Sequence, residues 1–262
     1  MKHTTLTVAR PIASLFLFLL AWELSTQISK NVLFPSPSII LSSLPGTLTD
    51  EFLYTHVIPT VATFSSSFVI GSGLGVVAGG LLGSSPLFYQ TLLPHILFIR
   101  FLPTAARVSV IMGIFGVGWE SLILAVFMSA FLNLFIMTAM GVAKVDTTTK
   151  EYCRILGLGR FQEAFRVLVP AATGDIFAAL QSTLQSTLVV VILVESLASA
   201  QGLGAHLIES QHRFDFVQMW TTMLILGIIG YSSNNALVWF EHRIGKWYFK
   251  SKGDSAFDSR RG

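Results

Sequence analysis

The chain has 262 residues, of which 52% are hydrophobic and 12% charged, with a formal net charge of +3 and a mean hydropathy of +0.67. Soluble domains carry about 25% charged residues, so this composition excludes a protein whose main solvent is water and points to an integral membrane protein. The single Cys153 excludes an internal disulfide and a cysteine-based metal cluster.

A helix needs roughly 20 mostly apolar residues to cross a bilayer. Six runs qualify, at about 11–28, 60–82, 87–115, 121–142, 172–197 and 216–241. The fold class expected is therefore all-α, with about six transmembrane helices in a single membrane domain spanning 1–262. Lys2 and Arg10 ahead of the first run give it the look of a secretory signal, but Trp22-Glu23 follows where a small-x-small cleavage site would stand. It reads as an uncleaved first helix with Glu23 at the interface.

The second run carries Gly71, Gly75, Gly79 and Gly83 at intervals of four. Small residues at that spacing let helices approach closely in lipid. A dinucleotide-binding reading fails, because the glycines sit mid-span, follow no strand and precede no acidic ribose ligand. The third run is interrupted by Pro94 and Pro103. Proline removes a backbone donor and clashes with the preceding turn, so a broken or kinked helix is expected there. Broken backbone at membrane depth must be covered by protein or line a wet cavity, which places this run inside the bundle.

Between the fourth and fifth runs lies a polar, basic island, 143–170. Leu158, Phe161, Phe165 and Leu168 recur in it at helical intervals, with Arg154, Arg160, Gln162, Glu163 and Arg166 between them. Gly157 and Gly159 suit a tight turn between two short helices. Read without further context, the island is a connector lying on the membrane surface or a platform for a soluble partner. The fifth run holds Gln181, Ser182, Thr183, Gln185, Ser186 and Thr187, which either hydrogen-bond across helices or line a wet path. The sixth is followed by a basic tail, 243–262.

Lys and Arg collect on the cytoplasmic side of membrane proteins. The amino terminus, the island and the tail hold all but Lys30, Arg100, Arg107 and Arg213 of the 17 basic residues. An even number of spans puts those three regions on one side. Both termini and the island are therefore expected in the cytoplasm.

Glu151, Gly157 and Val167-Leu-Val-Pro170 resemble the cytoplasmic signature of ABC importer permeases, Glu-Ala-Ala-x3-Gly-x9-Ile-x-Leu-Pro, with Tyr152 and Cys153 in place of the two alanines. Other patches extend the resemblance from about Leu33 to Trp247 and towards the nitrate/sulfonate/taurine branch. They are Leu33-Phe-Pro-Ser-Pro-Ser38, Phe115-Gly-Val-Gly118, and Glu195 followed by Gly202-Leu-Gly204. The chain departs from the branch at Pro103-Thr-Ala-Ala-Arg107-Val-Ser109, where Arg107 replaces an apolar residue, and at Gly174-Asp175, where Pro-Gly is usual.

The resemblance implies a type I importer permease in the bacterial cytoplasmic (inner) membrane. It would form the path for a small, anionic solute, such as a sulfonate, nitrate or organic acid. A second permease copy (a homodimer), two ABC ATPase subunits, a periplasmic or lipid-anchored solute-binding protein and membrane lipid are the implied partners, with no nucleic acid among them. ATP and Mg would sit on the ATPase, since this chain has no Gly-x4-Gly-Lys-Ser/Thr loop and no cofactor of its own is expected. Glu151, Gly157, Leu158, Phe161, Phe165 and Pro170 would form the ATPase-coupling surface. The rival reading is a non-transporting membrane scaffold or sensor with a basic cytoplasmic platform.

Arg107, Gln181, Gln185 and Glu195 are the candidates for the translocation path. A charge at mid-membrane costs about 2.5–3.5 kcal/mol on insertion scales, which makes Arg107 a functional candidate, although it could instead pair with an acid or snorkel. Glu195 either braces the outer gate or pairs with Arg107. Asp175, in the first turn of the fifth run, complements the positive helix end. The six histidines show no metal-ligand spacing, and no catalytic constellation is present in the sequence.

Overall fold

The computed structural model describes residues 2–29, 32–198 and 201–244, which are helical apart from short connections. Lys30 and the tail beyond residue 244 lie outside the described residues, so the basic-tail expectation is not addressed by the structure. In chain order the helices are α1 (Lys2–Ser29), α2 (Pro37–Thr47), α3 (Asp50–Gly83), α4 (Pro86–Phe101), α5 (Thr104–Phe115), α6 (Trp119–Ala143), α7 (Thr147–Ile155), α8 (160–171), α9 (Thr173–Ala198), α10 (Leu203–His212) and α11 (Phe216–Ile244).

Local chemistry sets the starts and breaks. Pro37 and Pro86 open their helices, where a missing N–H costs nothing. The Thr49 hydroxyl caps α3 by accepting from the Phe52 N–H at 3.2 Å. Two π turns, Leu53–Val57 and Glu163–Leu168, each stand just before a proline, Pro59 and Pro170. In both, the residue ahead of the proline donates to the carbonyl five back, Ile58 to Leu53 and Val169 to Ala164. The wider ladder accommodates a ring that supplies no donor.

Among the described residues, four helices are long and apolar enough to cross a membrane: α3, α6, α9 and α11. The third expected span is a broken one, with α4 and α5 meeting at 91°. Pro103 causes the break, because the residue before a proline is driven to extended backbone, and Leu102 has ψ 131°. Pro94 lies inside α4 without ending it. The described apolar part of α1, Ala13–Ser29, is shorter than a full crossing, although the whole helix runs 28 residues.

α6 is the central helix, and Leu122, Val126, Leu134, Ile136 and Val142 on it have no exposed surface. Its most extensive contact is with α3, along the glycine stripe. A Cβ added at Gly75, Gly79 or Gly83 would lie 2.9, 2.6 or 2.7 Å from the carbonyl oxygens of Phe131, Phe135 and Ala139. The contact steps by four residues on both helices, which is why glycine is needed at each point. At one end, Phe64 and Val108 pack with Leu122, Val126 and Val191. At the other, Val142, Leu168, Ala172 and Ile176 tie α8 and α9 to α6.

Candidate functional site

Among the described residues, two of the places that combine exposed chemistry with ordered backbone carry the coupling candidates and Arg107. The first is the hairpin formed by α7 and α8. Helix α7 ends in a Schellman motif, with the Leu158 N–H donating to the Cys153 carbonyl and the Gly157 N–H to the Arg154 carbonyl, both at 3.0 Å. The motif needs a left-handed residue, and Gly157 has φ +66°. Cys153, Ala164 and Leu168 are buried on the inner side of the hairpin. Val169 and Phe165 lie against Gly80 of α3. On the outer side Tyr152, Ile155, Leu156 and Phe161 are each more than 60% exposed, an unusual amount of apolar surface for a polar segment. The Lys150 Nζ donates to the Ala143 carbonyl at 3.0 Å, which fixes the hairpin to the end of α6.

The second place is a cleft of about 370 Å3 between the broken helix, α6 and α9. Its polar wall consists of Arg100, Thr104, Arg107, Ser129, Asn133 and Ser186. The Arg107 Nη2 donates to the Thr104 hydroxyl at 3.1 Å, while its Nε is buried without a partner. The 91° break determines this arrangement, since it brings both arginines of one chain segment to a single cleft. On the other side of Arg107 lies an apolar cleft of about 350 Å3, which shares Thr104, Arg107 and Leu132 with the first.

At the end of the bundle away from the hairpin, Glu195 is fully buried. Its carboxylate accepts from the Gly204 N–H at 2.9 Å and from the Thr60 hydroxyl at 2.9 and 3.0 Å. Thr60 Oγ1 also accepts from the Leu203 N–H at 2.8 Å. The bracket pins the start of α10 onto α3 and α9. Beside it, the His56 and His206 rings lie 4.8 Å apart.

The model of the binding-protein-dependent transport system inner membrane component family matches residues 71–247. The chain belongs to this family. It is the permease component of a binding-protein-dependent ABC importer, a multi-pass membrane protein and not itself an ATPase. Relatives include a Bacillus subtilis chain named as an aliphatic sulfonates transport permease, 24% identical over 84% of this chain and 79% of its own length. A nitrate import permease of Synechocystis is 24% identical over 85% of this chain and 84% of its own length. Among solved structures, the inward-facing MetNI methionine ABC transporter matches with a TM-score of 0.62 at 19% identity, covering 76% of this chain and 98% of that one. This last likeness shows a shared type I permease fold.

The residues singled out in the sequence of this permease fall into separate groups. Glu151, Gly157 and Phe161 are exposed on the hairpin, whereas Leu158, Phe165 and Pro170 are half-buried on its inner side. The apolar residues that project furthest, Tyr152, Ile155 and Leu156, were not picked out, because their exposure depends on which face of α7 the bundle covers. Arg107 lines the polar cleft. Gln181 does not, since its Nε2 donates to the Glu241 carboxylate of α11 at 2.7 Å. Gln185 is exposed on α9, and its neighbour Ser186 lines the cleft instead. Glu195 lines neither cleft and has no ion pair with Arg107 among the described residues. Asn133 and Ser129 carry no sequence signal, being single polar residues in an apolar span.

Proposed function

We propose that this permease forms the translocation path for a small anion and is driven through the α7–α8 hairpin by two separate ATPase subunits that carry ATP and Mg. In this reading the whole of 1–262 is one transmembrane domain, the hairpin within 143–170 and both termini face the cytoplasm, and the basic tail 243–262 lies on the same side. A second copy of the chain completes the path as a homodimer, and a periplasmic or lipid-anchored binding protein delivers the solute. The observation that carries the proposal is the two-sided hairpin, with Cys153, Ala164 and Leu168 buried against the bundle and Tyr152, Ile155, Leu156 and Phe161 presented outward around the left-handed Gly157. A partner that pushes on the exposed side moves α6 and α9 through the buried side. The sulfonate and nitrate names of the relatives, together with the two arginines of the cleft, favour an anionic solute.

The test is co-purification of the tagged chain with the ATPase expressed from the same gene neighbourhood. Wild type is expected to retain the ATPase stoichiometrically, and Gly157→Asp and Leu156→Glu to lose it while remaining in the membrane. Failure of wild type to retain any ATPase, both in detergent and after crosslinking in intact membranes, would replace the coupled reading with that of a non-transporting scaffold.

A further inference from the structure

Arg100 and Arg107 wall one cleft, and neither has a carboxylate within 4.0 Å among the described residues, where the ion pairs are Lys144–Asp175 and Arg213–Glu209. The polar partner of Arg107 is Thr104 of its own helix, and its Nε is buried with no acceptor. Among the described residues no acidic residue lines the cleft, and its other polar groups, Ser129, Asn133 and Ser186, are neutral, the Ser186 hydroxyl donating to the Ser182 carbonyl. Arginines within a membrane domain are expected to pair or to face a functional cavity. Here two of them converge on a polar space with no compensating carboxylate among the described residues.

The shape of the surroundings adds to this. Arg107 stands at the seam between the polar cleft and the apolar one, whose remaining walls include Val108, Ile111, Ala125 and Met128. We propose that the permease itself holds an anion-binding site for an organic oxyanion, with a sulfonate or carboxylate head between Arg100 and Arg107 and an apolar body in the adjoining cleft. The planar guanidinium fork matches the geometry of such heads and donates to two of their oxygens at once. The proposal deepens the importer reading above and rests on it. It adds that selectivity for organic over inorganic anions resides partly in this chain and not only in the delivering protein.

The test uses the full chain with its ATPase in nanodiscs of zwitterionic lipid, titrated with hexanesulfonate, hexanoate, nitrate and hexyltrimethylammonium by calorimetry. Hexanesulfonate or hexanoate is expected to bind, nitrate to bind at least tenfold more weakly, and the cation not at all. Arg107→Gln and Arg100→Gln should each weaken binding at least tenfold, with Arg107→Lys in between because it keeps the charge and loses the fork. Retention of the ATPase by each variant serves as the check that the fold is intact. Equal binding of nitrate would overturn the apolar-body assignment, and unchanged binding in both Gln variants would overturn the site. If nanodiscs containing phosphatidylglycerol abolish binding competitively, the occupant is a lipid head group and the solute assignment is overturned. A wild-type complex that retains its ATPase yet binds none of the organic anions defeats this proposal while leaving the importer reading in place.

Discussion

Gly202 combines a left-handed backbone with a crowded site. Its φ is +134°, and a Cβ there would stand 2.3 Å from the carboxyl carbon of Glu195. Gly202→Ala should therefore cost about 2–5 kcal/mol from backbone strain and overpacking together. Glu195→Ala leaves the Gly204 N–H unsatisfied and should cost about 1–3 kcal/mol. Combined, the two should destabilise less than their sum, because removing the carboxylate makes room for the new methyl, and contacting residues couple by about 0.5–3 kcal/mol. Thermal unfolding of the detergent-solubilised single and double variants measures this, and strict additivity would show that the contact does not exist in solution. Sequence alone left Glu195 with two roles, at a gate or opposite Arg107, because its partners Thr60 and Gly204 are brought to it only by the packing of α3 and α10.

At the scale of elements, α10 is held at its start by the Glu195 bracket and along its length by histidine. His206 Nδ1 pairs with the Thr222 hydroxyl of α11 at 2.9 Å. Thr222 Oγ1 already donates to the Gln218 carbonyl, so the imidazole Nδ1–H donates. Burial lowers the pKa of His206 below the usual histidine value, and the charge of His56 adds to this; Arg213 acts in the same direction, while Glu209 and Asp215 oppose it. The unfolded chain then binds a proton that the folded one refuses. Stability contributed by this group is complete above the unfolded value of about 6.5 and is lost as pH falls below it. The melting temperature should accordingly drop as pH falls below about 6.5, and His206→Asn should flatten that part of the profile; an unchanged slope would place the titration elsewhere. The prolines teach a related lesson about elements. Pro94 and Pro103 are equivalent in composition, yet only Pro103 breaks its helix, and Pro59 and Pro170 are absorbed by π turns instead. Which outcome follows depends on whether neighbouring turns can rearrange within the packed bundle.

For the molecule as a whole, α9 presents Ala178, Ser182, Gln185 and Val189 as an exposed stripe at intervals of four, three and four. That stripe borders the polar cleft, whose wall includes Ser186 and Val189. If a second copy completes the path, the stripe faces its counterpart across a two-fold axis. Val189→Cys in a Cys153→Ser background should then form a covalent dimer in membranes under mild oxidation. Ile228→Cys, on the exposed face of α11, should remain monomeric under the same conditions. Equal crosslinking at both positions, or none at Val189, would remove the homodimer.

Composition, span length, the four-residue glycine repeat and the island with its Gly157 turn were decisive in the sequence alone. Each is a local property: hydropathy is additive along a helix, and a Schellman turn or a glycine stripe is encoded within a few residues. They were enough to establish a multi-pass helical membrane protein and the family signature. The tertiary structure decided the rest. The 91° break at Pro103 brings Arg100 and Arg107 to one cleft, Gln181 is drawn to Glu241 on the last helix, and Glu195 becomes the buried anchor of α10. All three depend on partners far away in the chain, and a side chain's role inside a membrane follows from which neighbour satisfies it.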